Sequence, residues 1–114
     1  MDKKTQRSEI DYEFQAEMLS VLANPKRLMI IHILGEDSKT VGEIAAELGI
    51  SLQNASQHLR IMKDRGILVA LKEGQTVRYS LTTPVLCECC DRVRDAMLKL
   101  AEARGKFYDQ VSSV

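Results

Sequence analysis

Apolar positions along the chain fall into two rhythms. From Phe14 to Leu22 they recur every three or four residues (Phe14, Met18, Leu19, Leu22), which predicts an amphipathic helix over about residues 11–23. Asn24-Pro25 breaks the run, since Asn24 offers a capping oxygen and Pro25 suits a first helical turn, where its missing N–H leaves nothing unpaired. A second helix through Leu28, Ile31 and Leu34 is expected to end at Gly35. Thr40-Val41-Gly42-Glu43 has the spacing of a capping box and opens a short third helix over 41–48. Gly49 suits its left-handed end, and Ser51 caps a fourth helix reaching Lys63 or Asp64, with Leu52, Ala55, Leu59 and Met62 as its expected buried face. Two short helices joined by a tight Gly-containing turn predict a helix-turn-helix.

After Gly66 the rhythm turns extended. Residues 67–71, the turn-like Lys72-Glu73-Gly74-Gln75, and Thr76 to Leu81 with alternating Val77, Tyr79 and Leu81 predict a β-hairpin, or wing. Thr83-Pro84 repeats the cap-then-proline logic and opens a long last helix over about 84–107. The fold class is therefore mainly α with a small β-hairpin, a winged helix-turn-helix in the order α-α-α-α-β-β-α. No repeat or Gly/Pro/Ser-rich linker divides it, so one domain is expected over 11–108, with a flexible arm at 1–10 and a tail at 109–114.

Composition narrows the function. In 114 residues, 45% apolar and 28% charged side chains are enough to build one core and keep it in water. Aromatic residues are only 4% with no Trp, which argues against a platform that stacks unpaired bases but leaves duplex binding open. The polar first eight residues fit neither a signal peptide nor a membrane anchor, so a cytoplasmic protein with no membrane partner and reduced thiols is expected. The formal net charge is zero, yet residues 51–80 carry 5 basic against 2 acidic side chains while residues 1–50 carry 6 against 9. Positive charge thus gathers on the fourth helix and the wing, as a phosphate backbone requires.

Outside the apolar stripe, the fourth helix is rich in hydrogen-bonding groups. Ser51, Gln53, Asn54, Ser56, Gln57, His58 and Arg60 are the candidates to meet base edges, and Lys63, Arg65, Lys72 and Arg78 to meet phosphates. A solvated helix face and ordinary surface charge are the competing readings.

The order of elements, with Ala-Asn-Pro-Lys-Arg-Leu-Met-Ile-Ile-His-Ile-Leu at 23–34, Val-Gly-Glu-Ile-Ala-Ala-Glu-Leu-Gly-Ile-Ser at 41–51, Ala-Ser-Gln-His-Leu-Arg-Ile-Met-Lys-Asp-Arg-Gly-Ile-Leu at 55–68 and Glu-Gly-Gln-Thr-Val-Arg-Tyr-Ser-Leu at 73–81, resembles the ArsR/SmtB family of repressors across about residues 12–100. The resemblance implies that Ser56-Gln57-His58-Leu59 enters the major groove of double-stranded operator DNA. It also implies a homodimer packed through the first and last helices, here through the stripes Phe14, Met18, Leu22 and Val93, Met97, Leu100, with Leu86 on the same last-helix stripe. Those stripes equally suit core helices within one chain. Repression relieved by an effector is the mode of action the resemblance suggests.

All three cysteines, Cys87, Cys89 and Cys90, fall within four residues at the start of the last helix. Thiolates there could hold Zn(II), Cd(II), Cu(I) or As(III), could sense oxidants, or could be small packed hydrophobes. Cys87 and Cys90 are about 60° apart on a helix of 3.6 residues per turn and could share one ion. The Cys-x-Cys pair that opens the third helix of arsenic- and cadmium-type relatives is replaced by Thr40-Val41-Gly42, and no His follows His58 to supply the zinc-type site of the last helix. His32, inside an apolar helix, reads as a core or interface side chain. No phosphate loop, nucleophile elbow or His-Glu-x-x-His pattern supports an enzyme. A constitutive DNA-binding regulator and a winged-helix interaction module without DNA binding are the remaining alternatives.

Overall fold

Helical structure starts at a reciprocal cap. The Ser8 hydroxyl accepts a hydrogen bond from the Asp11 N–H (3.3 Å) while the Ser8 N–H donates to the Asp11 carboxylate (3.1 Å), and α1 (Glu9–Leu22) follows. The computed structural model describes residues 7–105 and Val111. Helix α1 therefore begins two residues before the expected position, inside the stretch expected to be a flexible arm, whose residues 1–6 lie outside the described residues. Asn24 Oδ1 accepts from the Arg27 N–H (3.1 Å) to start α2 (Pro25–Leu34), with Pro25 in its first turn. Thr40 and Glu43 form the anticipated box, 2.9 and 3.2 Å, at the start of α3 (Val41–Leu48). Gly49, at φ 67, supplies the left-handed residue that turns the chain, and Ser51 caps α4 (Leu52–Asp64) through the Asn54 N–H (3.0 Å).

One strand escapes the sequence pattern. β1 (Ser38–Thr40) is three residues long, too short to show alternation, and it pairs with the wing. The wing itself is β2 (Leu68–Glu73) and β3 (Thr76–Leu81), and the sheet order is β1-β3-β2, antiparallel throughout. Ser38 lies opposite Ser80 and Thr40 opposite Arg78, while Leu68 lies opposite Leu81 and Glu73 opposite Thr76. The wing turn is therefore the two residues Gly74-Gln75 rather than four, and Lys72 belongs to β2, facing Val77. Gly74 has φ 63 and Gln75 does not share it, the dihedral pattern a type II′ hairpin turn needs.

The chain divides into two compact units, Met1–Thr82 and Thr83–Val114. In the first, Ile30, Ile31 and Leu34 of α2, Ile44 and Leu48 of α3, Ala55, Leu59 and Met62 of α4, and Leu68 and Leu81 of the wing are buried. Each large aliphatic in that set contributes about 1.5–3 kcal/mol by leaving water. Two expected core positions are not in it. Leu28 is exposed because the stripe centred on Ile30, Ile31 and Leu34 lies about 115° away around a helix of 3.6 residues per turn, and Leu52 is 58% exposed at the first position of α4, ahead of the packed stretch.

The second unit is α5 (Val85–Arg104). Pro84 precedes it in helical conformation, and the chain is held there by Leu86 N–H to Thr83 O (3.2 Å) and Cys87 N–H to Pro84 O (3.0 Å). The helix stops ahead of Gly105 at φ 72, short of the expected end at Phe107; Phe107 and the tail, Val111 apart, lie outside the described residues. Among the described residues no helix is long and apolar enough to cross a membrane.

Candidate nucleic-acid interface

Helix α4 is amphipathic in a particular way. Ala55, Leu59 and Met62 are fully buried, and the side chains turned away from them are polar: Gln53, Gln57 and Arg60 fall within about a 60° arc opposite the buried stripe, at 3.6 residues per turn. Gln53, Asn54, Ser56, Gln57, Arg60 and Lys63 are all exposed. Ser51 is exposed as well, with its hydroxyl already accepting the capping bond from Asn54. Among the described residues neither Arg60 nor Lys63 has an ion-pair partner. A row of uncommitted amides, a hydroxyl and two cations on one helix face is suited to acidic, hydrogen-bonding surfaces such as a duplex groove.

His58 departs from that face. It lies about 140° around the helix from Gln53, half-buried, with Nδ1 out of water and unpaired. Burial and the nearby Arg27 and Lys26 charges hold its pKa below the ordinary histidine value. The folded state therefore takes up fewer protons than the unfolded chain, and stability rises with pH through the window just below histidine's usual ~6.5 and falls as pH drops through the lowered value. Thermal melts between pH 5 and about 7.5 should show that slope, and His58→Gln should flatten it. An unchanged slope in the variant would place the titrating group elsewhere.

Two of the four expected phosphate-binding side chains are engaged within the fold. Arg78 on β3 donates from Nε to Ser38 Oγ (3.0 Å) and from its terminal nitrogen to the Ser38 carbonyl (2.8 Å), and stands 3.7 Å from the Glu43 carboxylate. Glu43 is held below the usual carboxylate range, foremost by the Thr40 N–H bond and further by Arg78 and Lys39. Arg78 thus ties the wing to β1 and to the first turn of α3. Arg65 pairs with Glu17 of α1 at 2.6 Å, an exposed contact that water and salt weaken. Lys63 and Lys72 are exposed and have no ion-pair partner among the described residues. Replacing Lys63 or Lys72 by Ala should lower the dependence of log affinity on log salt by about one for each phosphate that is no longer neutralised. Arg78→Ala should instead lower the melting temperature and leave that slope in place. A slope that falls for Arg78→Ala and holds for both lysine variants would reverse the assignment.

Away from α4, Phe14 is 64% exposed on α1 with Met18 and Leu22 half-buried beside it, and Val93, Met97 and Leu100 form an exposed apolar line along α5. His32 is exposed, not a core side chain. Cys89 is exposed, so it is no packed hydrophobe within the described residues, while Cys87 and Cys90 are half-buried. Burial first, then the Asp91 and Glu88 charges, push the Cys87 thiol up; burial, Cys87, Cys89 and Asp91 do the same to Cys90. Thiols raised in this way are protonated at neutral pH and are weak nucleophiles.

A helix-turn-helix with a tethered wing and an open polar recognition face defines a winged helix-turn-helix protein. A helix-turn-helix domain family model matches residues 22–69. An HTH-type transcriptional regulator of Mycobacterium tuberculosis, Rv0081, is 30% identical over 98 residues, covering 85% of this chain and 86% of that one, and its crystal structure superimposes with a TM-score of 0.74. The homodimeric winged helix-turn-helix domain Mb0332 of Mycobacterium bovis, described as a possible ArsR-family regulator, is 26% identical with a TM-score of 0.70, covering 85% of this chain and 90% of that one. The transcriptional activator HlyU of Vibrio cholerae is 36% identical over 66 residues, 58% of this chain and 61% of its own. The chain belongs to the ArsR/SmtB-type family of winged helix-turn-helix transcriptional regulators.

Proposed function

We propose that this regulator binds palindromic double-stranded operator DNA as a cytoplasmic homodimer, acting as a repressor that an effector releases. The observation that carries the reading is the open face of α4, where Gln53, Asn54, Ser56, Gln57 and Arg60 are exposed beside a buried stripe that fixes their orientation. Gln and Asn side chains pair with adenine edges in two-pronged fashion, and Arg60 suits guanine. Lys63 and Lys72 supply the phosphate contacts, with Arg65 contributing once Glu17 yields it. The exposed lines on α1 and α5 are the dimer surface, Phe14, Met18 and Leu22 with Val93, Met97 and Leu100; the homodimeric Mb0332 domain supports that assembly. Two copies reading two half-sites match the two-fold symmetry of a palindrome.

The effector is a soft metal or metalloid ion, Zn(II), Cd(II), Cu(I) or As(III), held at the thiols of Cys87, Cys89 and Cys90. Thiol sulfur is a soft ligand that suits these ions, and the three thiols lie within four residues of one helix. Fluorescence anisotropy with a duplex from the protein's own promoter region tests both parts. Specific binding that one of these ions abolishes, and that persists in the triple Cys→Ser variant, is the expected result. Binding indifferent to every ion would leave a constitutive regulator with structural cysteines. Dimerisation without specific duplex binding would leave an interaction module.

A further inference from the structure

We propose that Leu52 reads a base, packing its isobutyl group against the C5-methyl of a thymine in the major groove, so that each half-site requires an A·T pair opposite the N-terminus of α4. The proposal rests on the DNA-binding reading of that helix and adds to it the residue and base that no hydrogen-bonding group on the face accounts for.

By its apolar character Leu52 belongs with Ala55, Leu59 and Met62, yet those three are fully buried and Leu52 is 58% exposed. Its position explains why. It is the first residue of α4, directly after the Ser51 cap, and the chain beneath it has just turned through Gly49. At 3.6 residues per turn it stands about 20° from Leu59 and about 40° from Ser56, on the border between the buried stripe and the polar face, and its place in the first turn, ahead of the packed stretch, is what leaves it open. The N-terminal residues of a recognition helix are those that reach base edges.

A single exposed leucine is ordinary on a protein surface. Here, however, Ser51, Gln53, Asn54 and Ser56 surround it, all exposed and all capable of hydrogen bonding. Of the groups that base pairs present in the major groove, the thymine C5-methyl offers the largest apolar surface, where cytosine has only a C5–H. Against that methyl, Leu52 removes hydrocarbon from water on both sides. Against the edge of guanine, adenine or cytosine it covers donors and acceptors without pairing them, which penalises those bases. The backbone is held for this role, because Ser51 accepts from Asn54 N–H through its hydroxyl and from Ala55 N–H through its carbonyl. Ile61, also partly exposed on α4, sits more than two turns along and about 180° around from Leu52. 5-Methylcytosine carries the same methyl group, and the test separates the two sources.

The full chain is used to select duplexes from a randomised library, and the enriched sequence is then rebuilt with each thymine replaced in turn by uracil, which deletes the methyl and keeps the pairing. One thymine per half-site should respond, with a loss of about four-fold per methyl and about fifteen-fold when both half-sites are changed, the magnitude of burying one such carbon. Leu52→Ala should lose a comparable factor on the thymine duplex and become indifferent to uracil at that position. Leu52→Met should keep the response, which a merely structural role for Leu52 would not require. Uracil without effect at every position, or with equal effect in wild type and Leu52→Ala, overturns the proposal. Tighter binding with 5-methylcytosine paired to guanine at that position overturns the assignment of thymine. Failure of the library to enrich any sequence overturns the DNA-binding reading of α4 and this proposal with it.

Discussion

Gln57→Ala should weaken binding to the specific duplex by about 30-fold or more while leaving binding to an unrelated duplex within about two-fold, since one two-pronged base contact discriminates by about 1–3 kcal/mol and a dimer makes it twice. Gln57 is exposed directly opposite the buried stripe of Ala55, Leu59 and Met62, and alanine is the better helix former, so α4 itself should survive the change. Anisotropy titrations on the two duplexes at one salt concentration measure the ratio. Parallel losses on both would mean that Gln57 grips the backbone or supports the fold, and that the base-reading role belongs to its neighbours.

On the other side of the same helix, Leu59→Ala should destabilise the protein by about 2–5 kcal/mol, the range for emptying a fully enclosed aliphatic site. Leu59 has no exposed surface and lies between Ala55 and Met62, so the cavity has only small or equally enclosed neighbours to refill it. At about 4–8 °C per kcal/mol for a domain of this size, the melting temperature should fall by roughly 10 °C or more. Circular-dichroism melts decide the matter. A fall below about 3 °C would show that the site collapses around the smaller side chain and that α4 is held mainly by its other contacts.

Much of the architecture could be read from local signals. The ends of α2, α3 and α4 follow from Asn24-Pro25, Thr40 with Glu43, Gly49 and Ser51, each a short-range hydrogen bond or dihedral that the residue type dictates. Ser8 with Asp11 carries the same Ser-x-x-acid signal and marks the start of α1, although an aspartate in place of the usual glutamate makes it easier to pass over. The misplaced side chains have a different origin. Arg78 looks like a free wing cation until Ser38, forty residues earlier, turns out to be its partner. β1 exists only because β3 offers it an edge, and three residues cannot announce a strand by themselves. Leu52 and Leu28 look like core residues in the sequence because apolar spacing records which residues could share a stripe and not where the packed stretch begins or how it is rotated. His58 sits among polar residues in the sequence, and only its position around the helix relative to Leu59 and Met62 turns it inward.

The short strand β1 carries a consequence for the energetics of recognition. Paired along β3 and joined to it by the Arg78 side chain, it fastens the wing to the chain segment that leads directly into α3, so the hairpin has little freedom to lose when a ligand arrives. The ordering cost that a floppy arm would incur on binding has already been met during folding. On the proposed DNA-binding reading, a wing anchored in this way at Arg78–Ser80 would yield little, and a duplex whose backbone does not match it would itself have to bend or twist to fit. Sequences differ in how easily they deform, so a stiff protein turns the mechanical compliance of DNA into part of its selectivity.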